Sequence, residues 1–149
     1  ASQRYDGFRK ALADKAIKLD PSLVKQGYFS FESGVECAEA FLKGGKLPTA
    51  IFAANDDMAA GAIAACHQHG LSIPDDLSIA GFDDTPVASL TWPALTTIHQ
   101  PIVEMAAAAA DLLLAAIKER SRAPSSGVAF SKRFQHEIIV RASTAAPRK

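Results

Sequence analysis

A chain of 149 residues, 48% of them apolar, suits one domain, or one lobe with pieces of another, around a sizeable core. Its 16 basic and 16 acidic residues cancel, which argues against a nucleic-acid surface in this segment, because phosphate neutralisation needs clustered Lys and Arg. No apolar run approaches the roughly 20 residues of a bilayer span, and Ala1-Ser-Gln-Arg-Tyr-Asp6 does not read as a secretory signal.

In chain order, Tyr5, Phe8, Leu12 and Ala16 recur at helical spacing and predict an amphipathic helix over about 3–17. Leu23 to Phe29 reads as a strand. Ser33 with Glu36 fits a capping box opening a helix whose apolar face carries Val35, Ala38, Phe41 and Leu42, with Gly44-Gly45 ending it. A strand over 49–54 and a helix over 56–69 follow, and Gly70 is placed to cap that helix in the left-handed conformation. Pro74-Asp-Asp76 is a turn into a strand over 77–82, and Thr85 to Leu90 makes one helical turn. Leu95 to Ile98 is a short strand, after which Pro101 opens a helix to about Glu119. That helix is apolar on nearly every side and wants burial all round. Ala123-Pro-Ser-Ser-Gly127 is a loop, and Phe134 to Val140 alternates as an edge strand before a polar tail.

The most informative stretch is Pro48-Thr-Ala-Ile-Phe-Ala-Ala-Asn-Asp-Asp-Met-Ala-Ala-Gly61, where a short apolar run breaks into polar side chains and then into an alanine-rich helix. The figure recurs at Leu77-Ser-Ile-Ala-Gly-Phe-Asp-Asp84 and, varied, at Leu95-Thr-Thr-Ile-His-Gln-Pro101. Strands alternating with helices predict a parallel sheet, whose ligands sit beyond the carboxyl ends of its strands. Polar residues from separate strands then line one edge, as binding of a small polar molecule requires.

The candidates follow from that placement. The acceptor-only carboxylates of Asp83 and Asp84 suit sugar hydroxyls, an amine or a purine N–H, but they equally suit capping of the next turn. Asn55 and Asp56 stand where one of them caps the 56–69 helix and the other can face the cleft. Phe29 is placed to stack on a sugar or base face, or to fill core. Arg4 is a bidentate cation for carboxylate or paired hydroxyls, or a solvated side chain. Gln100 offers a polar contact, and Trp92 an anchor in the core or between subunits. Enzymatic chemistry finds no phosphate-cradling glycine loop, no nucleophile elbow and no zinc spacing. Neither catalysis nor a cofactor or metal is expected. Cys37 and Cys66 read as reduced, buried thiols.

These motifs, together with Arg4-Tyr-Asp-Gly-Phe8, Phe29-Ser-Phe-Glu-Ser-Gly34, Gly70-Leu-Ser-Ile-Pro-Asp-Asp-Leu-Ser78, Pro93 to Pro101 and His136-Glu-Ile-Ile-Val-Arg-Ala-Ser143, resemble the effector-binding region of the lactose-repressor/galactose-repressor (LacI/GalR) family of bacterial transcription regulators. The resemblance runs in family order over almost the whole chain. It implies an α/β fold: a three-layer α/β/α Rossmann-like parallel sheet, forming part of a periplasmic-binding-protein type I lobe. It implies residues 1–94 in the carboxyl-terminal lobe, a crossover strand and helix over 95–122 belonging to the amino-terminal lobe, and a return strand and tail over 123–149. The chain then looks like that lobe alone, without the helix-turn-helix through which a relative meets operator DNA. Position by position, Arg4, Phe29, Asn55, Asp83 and Gln100 match effector contacts, with Asp56, Asp84 and Trp92 as further candidates. The helix after Asn55 and the Thr91-Trp92 region match dimer contacts. The resemblance implies a cytoplasmic, homodimeric, allosteric regulator of a sugar or similar metabolite, with no membrane partner. The rival expectation is a periplasmic sugar-binding protein feeding a transporter, which shares the fold.

Overall fold

The computed structural model describes residues 2–45, 47–122 and 131–147, so the 123–127 loop lies outside the described residues. The chain divides into two units, one of residues 1–98 with 138–149 and one of residues 99–137.

In the first unit, α1 spans Ser2–Asp14, two to three residues short of the sequence expectation. Ala16 adopts φ 56, Ile17 N–H bonds Leu12 O at 2.9 Å and Ala16 N–H bonds Ala13 O at 2.9 Å. That is a Schellman ending with alanine in the position that glycine usually takes. The strand expected over Leu23 to Phe29 does not form. Pro21–Leu23 is instead a 3-10 turn, because the Asp20 side chain accepts from Ser22 N–H. Beyond it the backbone is extended but joins no ladder among the described residues. Side chains satisfy part of it: Tyr28 N–H donates to Ser33 Oγ at 3.0 Å, and Cys37 Sγ donates to Gln26 O at 3.5 Å.

Helix α2 spans Phe31–Leu42. Its capping box sits three residues earlier than the sequence pattern indicated, with Ser30 as the cap and Ser33, not Glu36, as its reciprocal partner. Strand β1, Ala50–Phe52, leads into α3, Asp56–Gln68, which is capped by the Asn55 side chain on Met58 N–H. Gly70 follows at φ 73, the left-handed position expected of it. Two glycines set the approach of α2 to α3. A Cβ on Gly34 would stand 2.2 Å from Met58 O, and one on Gly61 2.1 Å from Phe31 O.

Strand β2, Ser78–Ala80, pairs parallel with β1, aligning Ala50 with Ser78 and Phe52 with Ala80. Ala80 also bridges Thr96 in parallel. A short helix α4, Pro86–Leu90, precedes β3, Thr97–His99. The core gathers Ala59, Ala65 and Cys66 of α3 against Leu77, Ile79, Ala88 and Leu95, all almost fully buried.

Helix α5, Ile102–Arg122, lies in the second unit. The burial its sequence calls for is absent: Val103 is 79% and Leu114 65% exposed. The chain returns through β4, Glu137–Ile139, which pairs with β3. No helix among the described residues is long and apolar enough to cross a membrane.

Candidate functional site

Parallel pairing of β1, β2 and Thr96 sends the segments that follow them out of one edge of the sheet. The peptide ladder continues past the strands, since Gly81 N–H bonds Thr96 O at 2.9 Å and Asp83 N–H bonds Ile98 O at 2.9 Å. Ala54-Asn55 and Phe82-Asp83-Asp84 are thereby neighbours in space.

Arg4, near the start of α1, joins them. Its guanidinium lies 3.9 Å from the centroid of the Phe82 ring, donates through Nη1 to Ala54 O at 2.5 Å and reaches Asp83 Oδ1 through Nη2 at 3.5 Å. Stacking on Phe82 is a cation–π contact that fixes the plane of the guanidinium fork. Next to Ala54, the Asn55 amide donates to Phe29 O at 3.1 Å. Asp83, Arg4, Ala54-Asn55 and Phe29 thus form one continuous chain of contacts along the rim. Chemically it presents a carboxylate acceptor, a planar cationic donor and an aromatic face. Such a set has the chemistry to hold vicinal hydroxyls or a small heterocycle.

Backbone geometry marks the same residues. Phe29 (φ 61), Asp83 (φ 112) and Asp84 (φ 56) all occupy the left-handed side of the map. Each costs of order 1–3 kcal/mol, and such residues concentrate at binding sites. Phe29 as a residue is 45% exposed, and its carbonyl accepts from the Asn55 amide. Its place on the rim is held at some conformational cost.

The remaining candidates stand elsewhere. Asp56 is fully buried and does not face a cleft: Oδ2 accepts from Thr85 N–H at 2.7 Å and Thr85 Oγ1 at 3.3 Å, and Oδ1 from Thr97 Oγ1 at 2.5 Å. It ties α3, α4 and β3 together from inside. Asn55, 7% exposed, uses its oxygen to cap Met58 N–H and its amide to bond Phe29 O, so the cap and the rim share one side chain. Asp84 pairs with Arg141 at 2.7 Å. Trp92 is 85% exposed and away from this chain of contacts. With Phe31, Ile63, His67, Val87 and Leu90 it lines an open, largely apolar hollow of about 370 Å³ beside α3. Gln100 is half-buried just after β3, in the second unit.

Sequence reasoning missed Phe82, the platform under Arg4, and Arg141, which grips the Asp84 corner. It also missed Thr85 and Thr97, the partners of Asp56. Only the Phe82 position carried a signal, as the aromatic within the Gly81-Phe-Asp-Asp84 figure. Burial raises the Cys66 thiol to about 11, consistent with an inert core cysteine.

Comparison with known proteins agrees with this architecture. The periplasmic binding protein-like domain matches residues 1–144. The chain is 43% identical over 121 residues to the HTH-type transcriptional repressor PurR of Pasteurella multocida, covering 81% of this chain and 36% of that protein. Among solved structures, a LacI family transcriptional regulator from Enterococcus faecium with bound ribose superposes with a TM-score of 0.82 at 34% identity, covering 98% of this chain and 52% of that one. The lac repressor dimer bound to operator and the anti-inducer ONPF superposes with a TM-score of 0.84 at 30% identity, over 98% of this chain and 48% of the other. The chain therefore spans about a third to a half of the length of the proteins it matches. With its parallel strand ends, its rim of polar contacts and a domain match over residues 1–144, this chain belongs to the periplasmic binding protein-like domain family, in the branch formed by the LacI-type transcriptional regulators.

Proposed function

We propose that this chain is the effector-sensing and dimerisation part of a LacI-type DNA-binding regulator, and that the complete protein controls operator binding allosterically in the cytoplasm. One observation carries the reading: Asp83, Arg4, Asn55 and Phe29, distant in sequence, are linked along one edge of the sheet. Asp83 accepts from effector hydroxyls or N–H groups, Arg4 donates from its Phe82-backed fork, and Phe29 stacks on the ligand's apolar face. Gln100, just after β3, is kept from the family resemblance as a further polar candidate. Residues 99–122 are assigned to the other lobe, whose remaining side chains complete the cleft and cover α5, while Leu95 to Ile98 pack within the first unit. The effector shifts operator affinity only by binding one lobe arrangement better than the other. No step calls for catalysis, a cofactor or a metal.

Dimerisation is assigned to the hollow beside α3. Leu90 and Trp92 stand 81% and 85% exposed at its margin, and a self-complementary apolar patch of this kind suits a twofold interface. The ribose-bound regulator and the operator-bound repressor dimer among the structural neighbours support a sensor over a transport protein.

The test is a thermal-shift screen of the full-length protein against pentoses, hexoses, cellobiose and purine bases. One class should raise the melting temperature, and Asp83→Ala should abolish that rise. A ligand whose effect survives both Asp83→Ala and Arg4→Ala would overturn the site. In parallel, Trp92→Glu should convert a sedimenting dimer to monomer.

A further inference from the structure

We propose that Arg141, on the returning carboxyl-terminal segment, is a positioning residue for the effector carboxylate of Asp83. The inference rests on the sensor reading above and extends it to a residue that never meets the ligand.

Asp83 and Asp84 are consecutive non-glycine residues at φ 112 and φ 56. Such a corner persists only where its surroundings over-determine it. Hydrogen bonds on both sides of Asp84 and at Asp84 itself restrain it. Asp83 N–H donates to Ile98 O at 2.9 Å, Thr85 N–H donates to the buried Asp56 carboxylate at 2.7 Å, and Arg141 Nη2 donates to Asp84 Oδ1 at 2.7 Å. The first two hold the residues on either side of Asp84, and the third holds Asp84 itself.

Arg141 is in turn fixed on two sides. Nη1 donates to Leu95 O at 2.9 Å, and its backbone N–H donates to Thr96 Oγ1 at 2.9 Å. Its segment is fastened to β2 by Ser143, whose hydroxyl donates to Ile79 O at 2.6 Å and whose carbonyl accepts from Ile79 N–H at 2.9 Å. A fork bridging a carboxylate and a main-chain carbonyl is a geometry that guanidinium serves and an ammonium does not. Arg141 thus transmits the position of the tail to the Asp84 backbone. One residue upstream, the Asp83 carboxylate is aimed at Arg4. Integrity of the tail and geometry of the effector site become one property.

The decisive measurement needs no ligand. In the isotopically labelled 149-residue chain, three-bond HN–Hα couplings and Cα and Hα shifts of Asp83 and Asp84 report their positive φ. Arg141→Met should move both residues away from left-handed values while the rest of the unit keeps its spectrum, and Arg141→Lys should restore them only in part. Arg141→Met that lowers the melting temperature yet leaves those couplings unchanged would overturn the proposal, since the residue would then be merely structural. Should Arg141→Met not fold, Asp84→Asn, which weakens the same bond without removing the acceptor, gives the same reading. Calorimetry with D-ribose on the full-length protein forms the second arm, with an expected loss of about tenfold or more in affinity for Arg141→Met. If the parent does not take up D-ribose, that counts against a pentose effector and leaves the coupling result to decide the role of Arg141.

Discussion

Removing the Asp56 carboxylate should damage folding, not sensing. It is fully buried and receives three hydrogen bonds, from Thr85 N–H, Thr85 Oγ1 and Thr97 Oγ1. Asp56→Ala leaves the Thr97 hydroxyl, itself 1% exposed, and the Thr85 amide without their acceptor, at about 1–3 kcal/mol each. It also removes a negative charge from the first turn of α3, worth roughly 0.3–1 kcal/mol. The total comes to about 2–7 kcal/mol, a large share of the 5–15 kcal/mol that typically holds a domain together. Asp56→Asn is the gentler probe. Its amide oxygen still accepts one of the bonds while its NH2 meets a donor, for an expected loss of about 2 kcal/mol. Urea unfolding of the 149-residue chain, followed by circular dichroism, measures this as a lower midpoint at unchanged m. A double-mutant cycle with Thr97→Val should reveal coupling between the two positions. Stability of Asp56→Asn within about 0.5 kcal/mol of the parent, combined with lost effector binding, would refute the buried assignment and return Asp56 to the cleft.

Gly61→Ala should lower stability by about 2 kcal/mol, because its Cβ would press on Phe31 O at 2.1 Å and the gain in helix propensity offsets only part of that overpacking; a thermal melt checks it. Phe29→Gly should change stability by no more than about 1 kcal/mol, because relief of the left-handed backbone, about 1–2 kcal/mol, offsets the loss of a side chain that is partly buried, while effector affinity falls; a loss above about 2 kcal/mol would mean that packing of the ring dominates. Bonds from Lys43 and then His69 hold the Glu39 carboxyl below its ordinary value of 4.5. A depressed carboxylate contributes stability above its unfolded value that disappears as pH falls through the folded one, so Glu39→Gln should flatten the pH dependence of stability in and below the region of pH 4.5. At pH 8 a thiol reagent should label Cys37 in the native chain and reach Cys66, buried and raised to about 11, only on unfolding.

Much of the site was legible in the chain itself because its signals are local. A break from apolar to polar residues marks a strand end whatever surrounds it, so Ala54-Asn55 and Phe82-Asp83 could be placed before any coordinates. Gly70 announces a left-handed cap because only its own backbone is involved. The failures were of another kind. Leu23 to Phe29 has strand composition, but a strand exists only with a partner, and here side chains from α2 bond Tyr28 N–H and Gln26 O instead. The Ser33-Glu36 spacing obeyed the capping rule, yet Ser30 and Ser33 obeyed it too, and they closed the box.

The sequence alone therefore determined the order of elements from α2 onward, the alanine and glycine surfaces that let α2 and α3 touch, and the identity of the polar residues at the strand ends. Tertiary structure decided which of those polar groups are enclosed and which lie on the rim. Asp56 and Asp83 follow strands in nearly the same local pattern, yet one is enclosed by Thr85 and Thr97 and the other meets Arg4 on the rim. Local sequence cannot separate them, because burial of a carboxylate depends on donors distant in the chain, here Thr85 before α4 and Thr97 of β3.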